Sequence, residues 1–273
     1  MTNLNILAVI AAVFYTAASV MLLLSLTRTN LNENAVSSAS QGRLTMMLVS
    51  AAVLIHAIVA LQQTGLPHTL QLPLLVAMNV SALFIACLLV LISLRQQAQY
   101  LGLAVYPTSA VLILLSNSAG GTPSTLALNI QMHVLTSLTA YAFLALAAVQ
   151  AILVWVQRKK LHNHKPGGVL RALPALDETE RLLFTLLMAG FVTLSLSLAT
   201  GFFYLEDMFA QHLVHKTVLS VMAWLIFGLL LFARWRWGWR GKRAVFWTLT
   251  GFAVLILAYF GSKFVLEIVL NRN

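Results

Sequence analysis

The chain has 273 residues, of which 60% are hydrophobic and 9% are charged, and its formal net charge is +10. Soluble domains carry about 25% charged residues, so this composition excludes an ordinary soluble protein and indicates one that crosses a membrane several times. The basic residues lie in short segments between apolar spans, which argues against nucleic-acid binding, and the single Cys87 excludes an internal disulfide and a CxxC redox pair.

Hydropathy predicts an all-α protein with about eight transmembrane helices, because a spanning helix needs roughly 20 mostly apolar residues. In chain order, the predicted spans are 4–26, 44–62, 72–94, 99–116, 127–156, 181–203, 213–233 and 244–268. The fourth span is the weakest because Tyr106-Pro107 interrupts it, although membrane helices tolerate proline where neighbours cover the freed carbonyl. The chain is predicted to be a single transmembrane domain over residues 1–273.

The basic residues alternate between the loops that join these spans. Of the 17 lysines and arginines, 14 lie in the odd-numbered loops and none lies in an even-numbered loop. Lysine and arginine accumulate on the cytoplasmic side of a membrane. The sequence therefore predicts a multi-pass membrane protein with the odd-numbered loops in the cytoplasm and both termini on the external side.

Two histidines are predicted inside the apolar layer. His133 starts a stripe on span five that continues with Ser137 and Tyr141 at a spacing of four, and His56 lies in the outer half of span two. A polar group in hydrocarbon costs several kcal/mol unless it is paired, so an intramembrane ionisable residue is a functional candidate by default. The alternative is a neutral imidazole that bonds a neighbouring helix and only adds packing specificity.

A second polar group is predicted at the outer end of span seven. His212 and His215 can share one helix face, and Lys216, Ser220 and Trp224 recur at a spacing of four. Lys216 has two interpretations: its ammonium pairs with a carboxylate, or it extends to the membrane interface while its stem stays in the apolar layer.

Three kinds of chemistry could use these imidazoles. Haem b is the leading candidate, because imidazole is a standard axial ligand of haem iron and one histidine per helix suits a haem held between helices. A zinc site needs three or four close ligands, so His212 and His215 would need Glu206 and Asp207 as well. A proton relay is the third candidate, although Glu267 is the main carboxylate within the predicted spans.

Four sequence blocks carry a resemblance to a known family. They are HVLTSLTAYAFLALAAVQAILVWVQRKKL, LPALDETERLLFTLLMAGFVTLSLSLATG, HKTVLSVMAWLIFGLLL and WRGKRAVFWTLTGFAVLILAYFGSKFV, in the family's order. Over about residues 70–269 the chain resembles the cytochrome c assembly family of CcsA-type and HemX-type haem-handling membrane proteins. The resemblance is strongest to its short HemX-like and YpjD-like branch. It implies a multi-pass protein of the bacterial cytoplasmic (inner) membrane, so that the external side is the periplasmic side.

The resemblance also implies site residues. His133 falls on the first of the external histidines that flank the family's tryptophan-rich haem motif, and Lys216 and Trp224 fall on the later lysine and tryptophan of that motif. The earlier tryptophans and the aspartate are absent, and Gly261-Ser262-Lys263 stands where a second external histidine is expected. The resemblance thus implies the fold and one ligand position, and the chain is not expected to act as a haem ligase on its own.

The sequence therefore predicts a haem-binding or haem-handling accessory protein related to cytochrome c biogenesis. In this prediction His133 is an axial ligand of haem b, the second ligand is another histidine, and Lys216 pairs with a propionate. The residues predicted to bind the cofactor are His133, His56, His212, His215, Lys216, Tyr141 and Trp224. The expected partners are haem, the lipid bilayer and other membrane proteins of cytochrome c biogenesis or transport.

Two other functions stay open. The chain could be a non-haem accessory or regulatory subunit of a membrane transporter that retains the family fold, which the missing motif tryptophans favour. It could also be a permease, which would need a continuous polar path. The polar residues concentrate in the outer half of the spans, so a permease ranks third.

Overall fold

The computed structural model describes residues 3–28, 35–65, 73–116, 128–163, 173–204 and 211–261. These residues form helices and no strand, and eight of the helices are long and apolar enough to cross a membrane. In chain order they are α1 (Asn3–Arg28), α2 (Ala35–Thr64), α3 (Leu74–Ser93), α4 (Gly102–Ser116), α5 (Leu128–His162), α6 (Leu176–Tyr204), α7 (Gln211–Trp237) and α8 (Lys242–Ile256). The predictions of an all-α class and of eight membrane-spanning helices are confirmed.

Short irregular segments extend two of these helices. The 3-10 turn Gln99–Leu101 leads into α4, and the wider π-helical segment Leu257–Gly261 continues α8. Pro107 lies inside α4 without ending it, as the sequence predicted. Two helices begin well before their predicted spans, α2 at Ala35 instead of 44 and α6 at Leu176 instead of 181. Their first turns contain polar residues and lie outside the apolar stretch on which hydropathy depends.

The chain divides into two compact units. Unit 1 comprises residues 1–125 and 160–175, and unit 2 comprises residues 126–159 and 176–273. The family resemblance does not separate these two units. The prediction that residues 1–273 form a single transmembrane domain stays a prediction.

In unit 1, helix α1 packs against both α2 and α4, and α3 packs against the same two helices. All faces of α1 are apolar, so side-chain size and not polarity selects the face that is buried. Its buried residues recur every three or four positions and are mostly small: Ala8, Ala11, Ala12, Tyr15, Ala18 and Leu22. Small residues allow two helix backbones to approach closely in a membrane, where burial of apolar surface gives no advantage over lipid. Val13 and Val20, on other faces of the helix, are more than half exposed, as lipid-facing side chains are.

In unit 2, α7 packs against both α6 and α8. An ion-pair cluster ties the basic end of this unit together. The carboxylate of Glu180 is almost fully buried, and it accepts from Arg158 at 2.8 Å and from Arg240 at 3.3 Å. Arg240 also reaches Asp177 at 3.2 Å. The cluster thereby joins the end of α5, the start of α6 and the turn between α7 and α8, and it fixes the α5 and α6 faces that meet further along the helices.

Candidate functional site

A cavity of about 180 Å³ lies in unit 2, with walls supplied by all four of its helices. The polar side chains around it come from α5, α6 and α7, and they include His133, Ser137, Ser197, Lys216 and Ser220. Its other walls are apolar, and they include the buried side chains of Leu138, Leu194, Leu255 and Ala258. The cavity therefore combines apolar walls with a small number of polar groups, which is the usual composition of a ligand site.

The hydrogen bonds around His133 define which ring nitrogen carries the proton. Nδ1 lies 3.2 Å from the hydroxyl oxygen of Thr200, and that hydroxyl donates its only hydrogen to the carbonyl of Ser197 at 2.9 Å. The Thr200 oxygen can therefore only accept from the ring. The neutral imidazole is the Nδ1–H tautomer, and Nε2 bears the lone pair.

Nε2 of His133 is weakly engaged in comparison. Its described contact is the hydroxyl of Ser137 at 3.5 Å. The same hydroxyl is 2.7 Å from the carbonyl of His133 and 2.7 Å from the hydroxyl of Ser197. These shorter bonds take precedence, so the Nε2 lone pair is available to an electrophile or metal. Metal-ligating histidines usually have this arrangement, with the other ring N–H held by a hydrogen bond that orients the imidazole.

Gly201 on α6 gives the imidazole its space. A Cβ atom at position 201 would lie 3.0 Å from Cε1 of His133 and 3.5 Å from Nδ1. A side chain at this position would require the imidazole to shift by a few tenths of an ångström, because 3.0 Å is closer than carbon atoms normally pack. One face of α6 thus carries three features of the site: the carbonyl of Ser197 accepts from Thr200, the hydroxyl of Thr200 contacts the imidazole, and Gly201 leaves space for the ring.

Tyr141 lines the same cavity two turns further along α5. Its ring packs against those of Phe252, Tyr259 and Phe260, with centroids between 5.4 and 6.2 Å apart. These contacts join α5 to α8 and its π-helical extension, and Tyr141 and Tyr259 both line the cavity. The predicted stripe of His133, Ser137 and Tyr141 does face one cavity.

Of the predicted stripe on α7, Lys216 and Ser220 line the cavity. Trp224 is not among the lining residues. Its indole N–H donates to the hydroxyl of Ser195 at 2.8 Å, and its ring stacks on Phe191. The role of Trp224 in cofactor binding stays a prediction, and its described contacts are those of a residue that joins α6 to α7.

His212 and His215 lie within the backbone of α7, but their side chains are outside the described part of the structure. Glu206 and Asp207, which a zinc site would need, also lie outside the described residues. Among the residues that are described, no three histidine, cysteine or acidic side chains come together as a metal cluster would require. The His212 and His215 ligand assignments stay predictions.

His56 belongs to unit 1, where it is fully buried and both of its ring nitrogens are bonded. Nε2 lies 2.8 Å from Oδ1 of Asn79, which can only accept, so Nε2 carries the proton. Nδ1 then accepts from the hydroxyl of Tyr15 at 3.2 Å. The amide of Asn79 continues the network by donating to Gln63 at 3.0 Å, and Gln63 donates to Ser116 at 3.2 Å.

This network joins four helices, since Tyr15 comes from α1, His56 and Gln63 from α2, Asn79 from α3 and Ser116 from α4. The role of His56 as an axial ligand stays a prediction, but a ligand there would displace one of the two bonds that its imidazole now makes.

The sequence pattern did not identify Ser197, Thr200 and Gly201 as site residues, although these three surround the imidazole of His133. Small residues in a membrane helix normally indicate close packing, and here they serve packing as well. The signal that was present is the spacing of 197, 200 and 201, which puts two hydroxyls and a glycine on one helix face.

The fold and the cavity define a class: a polytopic helical membrane protein in which the last four helices, α5 to α8, present one oriented neutral imidazole to a small, mainly apolar cavity. The family described as Cytochrome C assembly protein matches residues 4–270. The chain belongs to this family, which confirms the predicted resemblance and extends it from about residues 70–269 to nearly the whole chain.

Three curated relatives are similar to parts of the chain. It is 36% identical over 139 residues to the inner membrane protein YpjD of Escherichia coli (strain K12), which covers 50% of this chain and 52% of that protein. It is 37% identical over 154 residues to an uncharacterized 28.8 kDa protein of Azospirillum brasilense, covering 56% of each. It is 25% identical over 131 residues to protein HemX of Brevibacillus brevis, covering 47% and 48%.

The chain thus spans about half the length of the curated relatives it matches. No solved structure matches it. The eight apolar helices, together with the similarity to an inner membrane protein, identify the chain as a multi-pass protein of the inner membrane, as the sequence predicted.

Proposed function

We propose that this protein binds haem b as an accessory membrane protein of cytochrome c biogenesis, with His133 as the axial ligand. The observation that carries the proposal is the hydrogen bonding of His133, a residue that lines the cavity of unit 2. Its Nδ1–H is held by Thr200, which leaves the lone pair on Nε2. An imidazole oriented through its other nitrogen is the usual protein ligand of haem iron. Membership of the cytochrome c assembly family supports the same chemistry.

The residues around the cavity fit a haem in kind. Leucine and tyrosine walls suit an apolar macrocycle, and Lys216 is a cation at the same cavity that suits a propionate. The volume of about 180 Å³ is below the roughly 300 Å³ at which ordinary ligand pockets begin. Haem would therefore be enclosed only in part, which suits a protein that holds haem in transit better than one that retains it permanently.

We propose further that the basic loops face the cytoplasm, so that both termini and the His133 end of α5 lie on the external side. The distribution of the 14 basic loop residues supports this orientation. The test uses a chain in which Cys87 is replaced by serine and one new cysteine is introduced. A membrane-impermeant maleimide should label Asp207→Cys in intact cells, and it should label Asn163→Cys only after the inner membrane is opened. The reverse pattern would contradict the orientation.

Haem binding itself is tested by the absorption spectrum of the full chain, purified in detergent from cells with ample haem. The wild-type protein should show a Soret band, and His133→Ala should lose it by at least about tenfold, because a metal ligand is removed. His162→Ala is the matched control, since His162 lies on the same helix but is exposed at its other end. Absence of the band in the wild-type protein, or its equal loss in both variants, would refute the proposal.

A second candidate is a non-haem accessory subunit of a membrane transporter. The buried network of His56 favours it, because both nitrogens of that imidazole are used for helix–helix bonds. This candidate predicts that the chain co-purifies stoichiometrically with one transporter while the preparation carries no haem.

A further inference from the structure

Unit 1 contains a cavity of about 530 Å³ at the end of the bundle where α1 and α3 finish and where α2 and α4 begin. Its volume falls within the roughly 300–1,000 Å³ range of ligand pockets and is well above that of the cavity in unit 2. The function proposed above does not use it.

The lining of this cavity is suited to an anion. Arg95 supplies a guanidinium, and three neighbouring primary amides supply further N–H donors: Gln96, Gln97 and Gln99. The described lining contains no carboxylate. Within the part of the chain that the structure describes, Arg95 forms no ion pair, although other arginines with a nearby carboxylate do so.

A buried hydroxyl points to the same conclusion. Ser93, the last residue of α3, lines the cavity, and its Oγ atom is shielded from solvent yet has no hydrogen-bond partner among the described residues. Serine hydroxyls near a helix end usually bond a backbone carbonyl, as Ser116 and Thr64 do here. A buried unsatisfied hydroxyl costs about 1–3 kcal/mol, and an acceptor group bound in the cavity would relieve that cost.

The position of the cavity identifies the kind of anion. The apolar spans end at Thr27 and Ser93 on one side of it, and the next spans begin at Ser40 and Gln99, so it lies at the level of the lipid headgroups. Leu22, Leu26 and Leu94 provide an apolar wall next to the polar groups. A phosphate with attached hydrocarbon chains would satisfy both parts of this lining.

We propose that this cavity binds the phosphate headgroup of an anionic phospholipid. The guanidinium of Arg95 pairs with the phosphate, since arginine matches the geometry of phosphate oxygens. The three glutamine amides and the hydroxyl of Ser93 donate to its remaining oxygens, and the acyl chains lie along the leucine wall. Basic pockets between transmembrane helices are known sites of this kind.

The test measures binding of phosphatidylglycerol to the delipidated full chain in neutral detergent by native mass spectrometry. Phosphatidylcholine and inorganic phosphate are the comparison ligands. The wild-type protein should bind one phosphatidylglycerol more tightly than further copies, and phosphatidylcholine should bind more weakly. Arg95→Gln should weaken the first phosphatidylglycerol about fivefold, which corresponds to about 1 kcal/mol per basic residue at a lipid headgroup.

Two further variants make the test specific. Arg181→Gln removes the same charge from an exposed position of unit 2, so it controls for general attraction between a basic protein and an anionic lipid. Gly42→Leu fills the cavity, because position 42 lines it and a Cβ there has no atom within 4 Å. Leucine also favours a helix more than glycine does, so this variant should fold and yet lose the tight lipid.

Equal weakening by Arg95→Gln and Arg181→Gln would overturn the proposal, and so would undiminished binding to Gly42→Leu. Binding of inorganic phosphate in the absence of any binding of phosphatidylglycerol would overturn the lipid assignment in favour of a soluble phosphate compound. None of these results depends on haem, so they leave the function proposed for unit 2 unaffected.

Discussion

Replacement of His56 by leucine tests the buried network of unit 1. Leucine has a similar volume and leaves little cavity, so the main effect is the loss of two hydrogen bonds of 3.2 and 2.8 Å. The hydroxyl of Tyr15 and Oδ1 of Asn79 would lose these partners inside the bundle. An unsatisfied buried group costs about 1–3 kcal/mol, but interhelical polar couplings in membrane proteins average about 0.6 kcal/mol and reach about 1.7 kcal/mol. We therefore expect His56→Leu to lower the free energy of unfolding by about 1–3 kcal/mol.

The assay is reversible denaturation in detergent, followed by circular dichroism. Thr45→Val is the matched control on the same helix, because Thr45 is also buried but bonds only the carbonyl of Gln41 one turn away. This control should change the free energy of unfolding by less than about 0.5 kcal/mol.

A double-mutant cycle of His56→Leu with Tyr15→Phe then isolates the contact between these two side chains. The coupling free energy should be about 0.6–1.7 kcal/mol, the range measured for interhelical polar pairs in a membrane protein. Strictly additive effects, or a His56→Leu protein as stable as the wild type, would refute the view that this imidazole connects the helices.

Three other predictions concern unit 2. Thr200→Val removes the acceptor of the His133 Nδ1–H and should weaken haem binding about 10–100-fold in a spectroscopic titration, whereas Thr200→Ser, which keeps the hydroxyl, should bind nearly as the wild type does. Gly201→Ala brings a methyl group to 3.0 Å from the imidazole and should also weaken haem binding, while Gly42→Ala, where a Cβ contacts nothing, should leave it unchanged. Glu180→Gln weakens a cluster with two partly exposed arginines and should lower the free energy of unfolding by about 1–3 kcal/mol, a loss that the exposed control Glu178→Gln should not reproduce.

The eight spans could be predicted from hydropathy because the membrane requires about 20 apolar residues for each helix. Helix ends were less predictable, because the helices extend beyond the apolar layer into polar segments, which a hydropathy average does not identify as helical. The start of α6 at Leu176 shows the reason. Acidic residues near its start pair with Arg158 near the end of α5 and with Arg240 in the turn between α7 and α8, and such pairing between distant segments is not visible in a local average.

The candidate site could be predicted only along single helices. The spacing of four between His133, Ser137 and Tyr141 placed them on one face of α5, and the structure confirms that this face borders a cavity. The partners of that face could not be predicted, because nearly every surface of a membrane helix is apolar and hydropathy does not indicate which one meets a neighbour. The hydrogen bond between Thr200 and His133 depends on the contact between α5 and α6. The hydrogen bond from Trp224 to Ser195 depends on the contact between α6 and α7.

Both His56 and His133 were predicted inside the apolar layer, and the stripe of Ser137 and Tyr141 favoured His133 as the ligand. The hydrogen bonds of the two imidazoles separate them further. At His56 the acceptor Asn79 takes the proton of Nε2 and the donor Tyr15 occupies Nδ1, so every polar atom of the ring is used within the bundle. At His133 the acceptor Thr200 takes the proton of Nδ1, while the described contact of Nε2 is the Ser137 hydroxyl, which has two shorter bonds elsewhere. A buried imidazole is suited to bind a ligand when its neighbours leave one lone pair unmatched, so the order of donors and acceptors around the ring, and not the presence of a histidine in the membrane, supports His133 as the ligand.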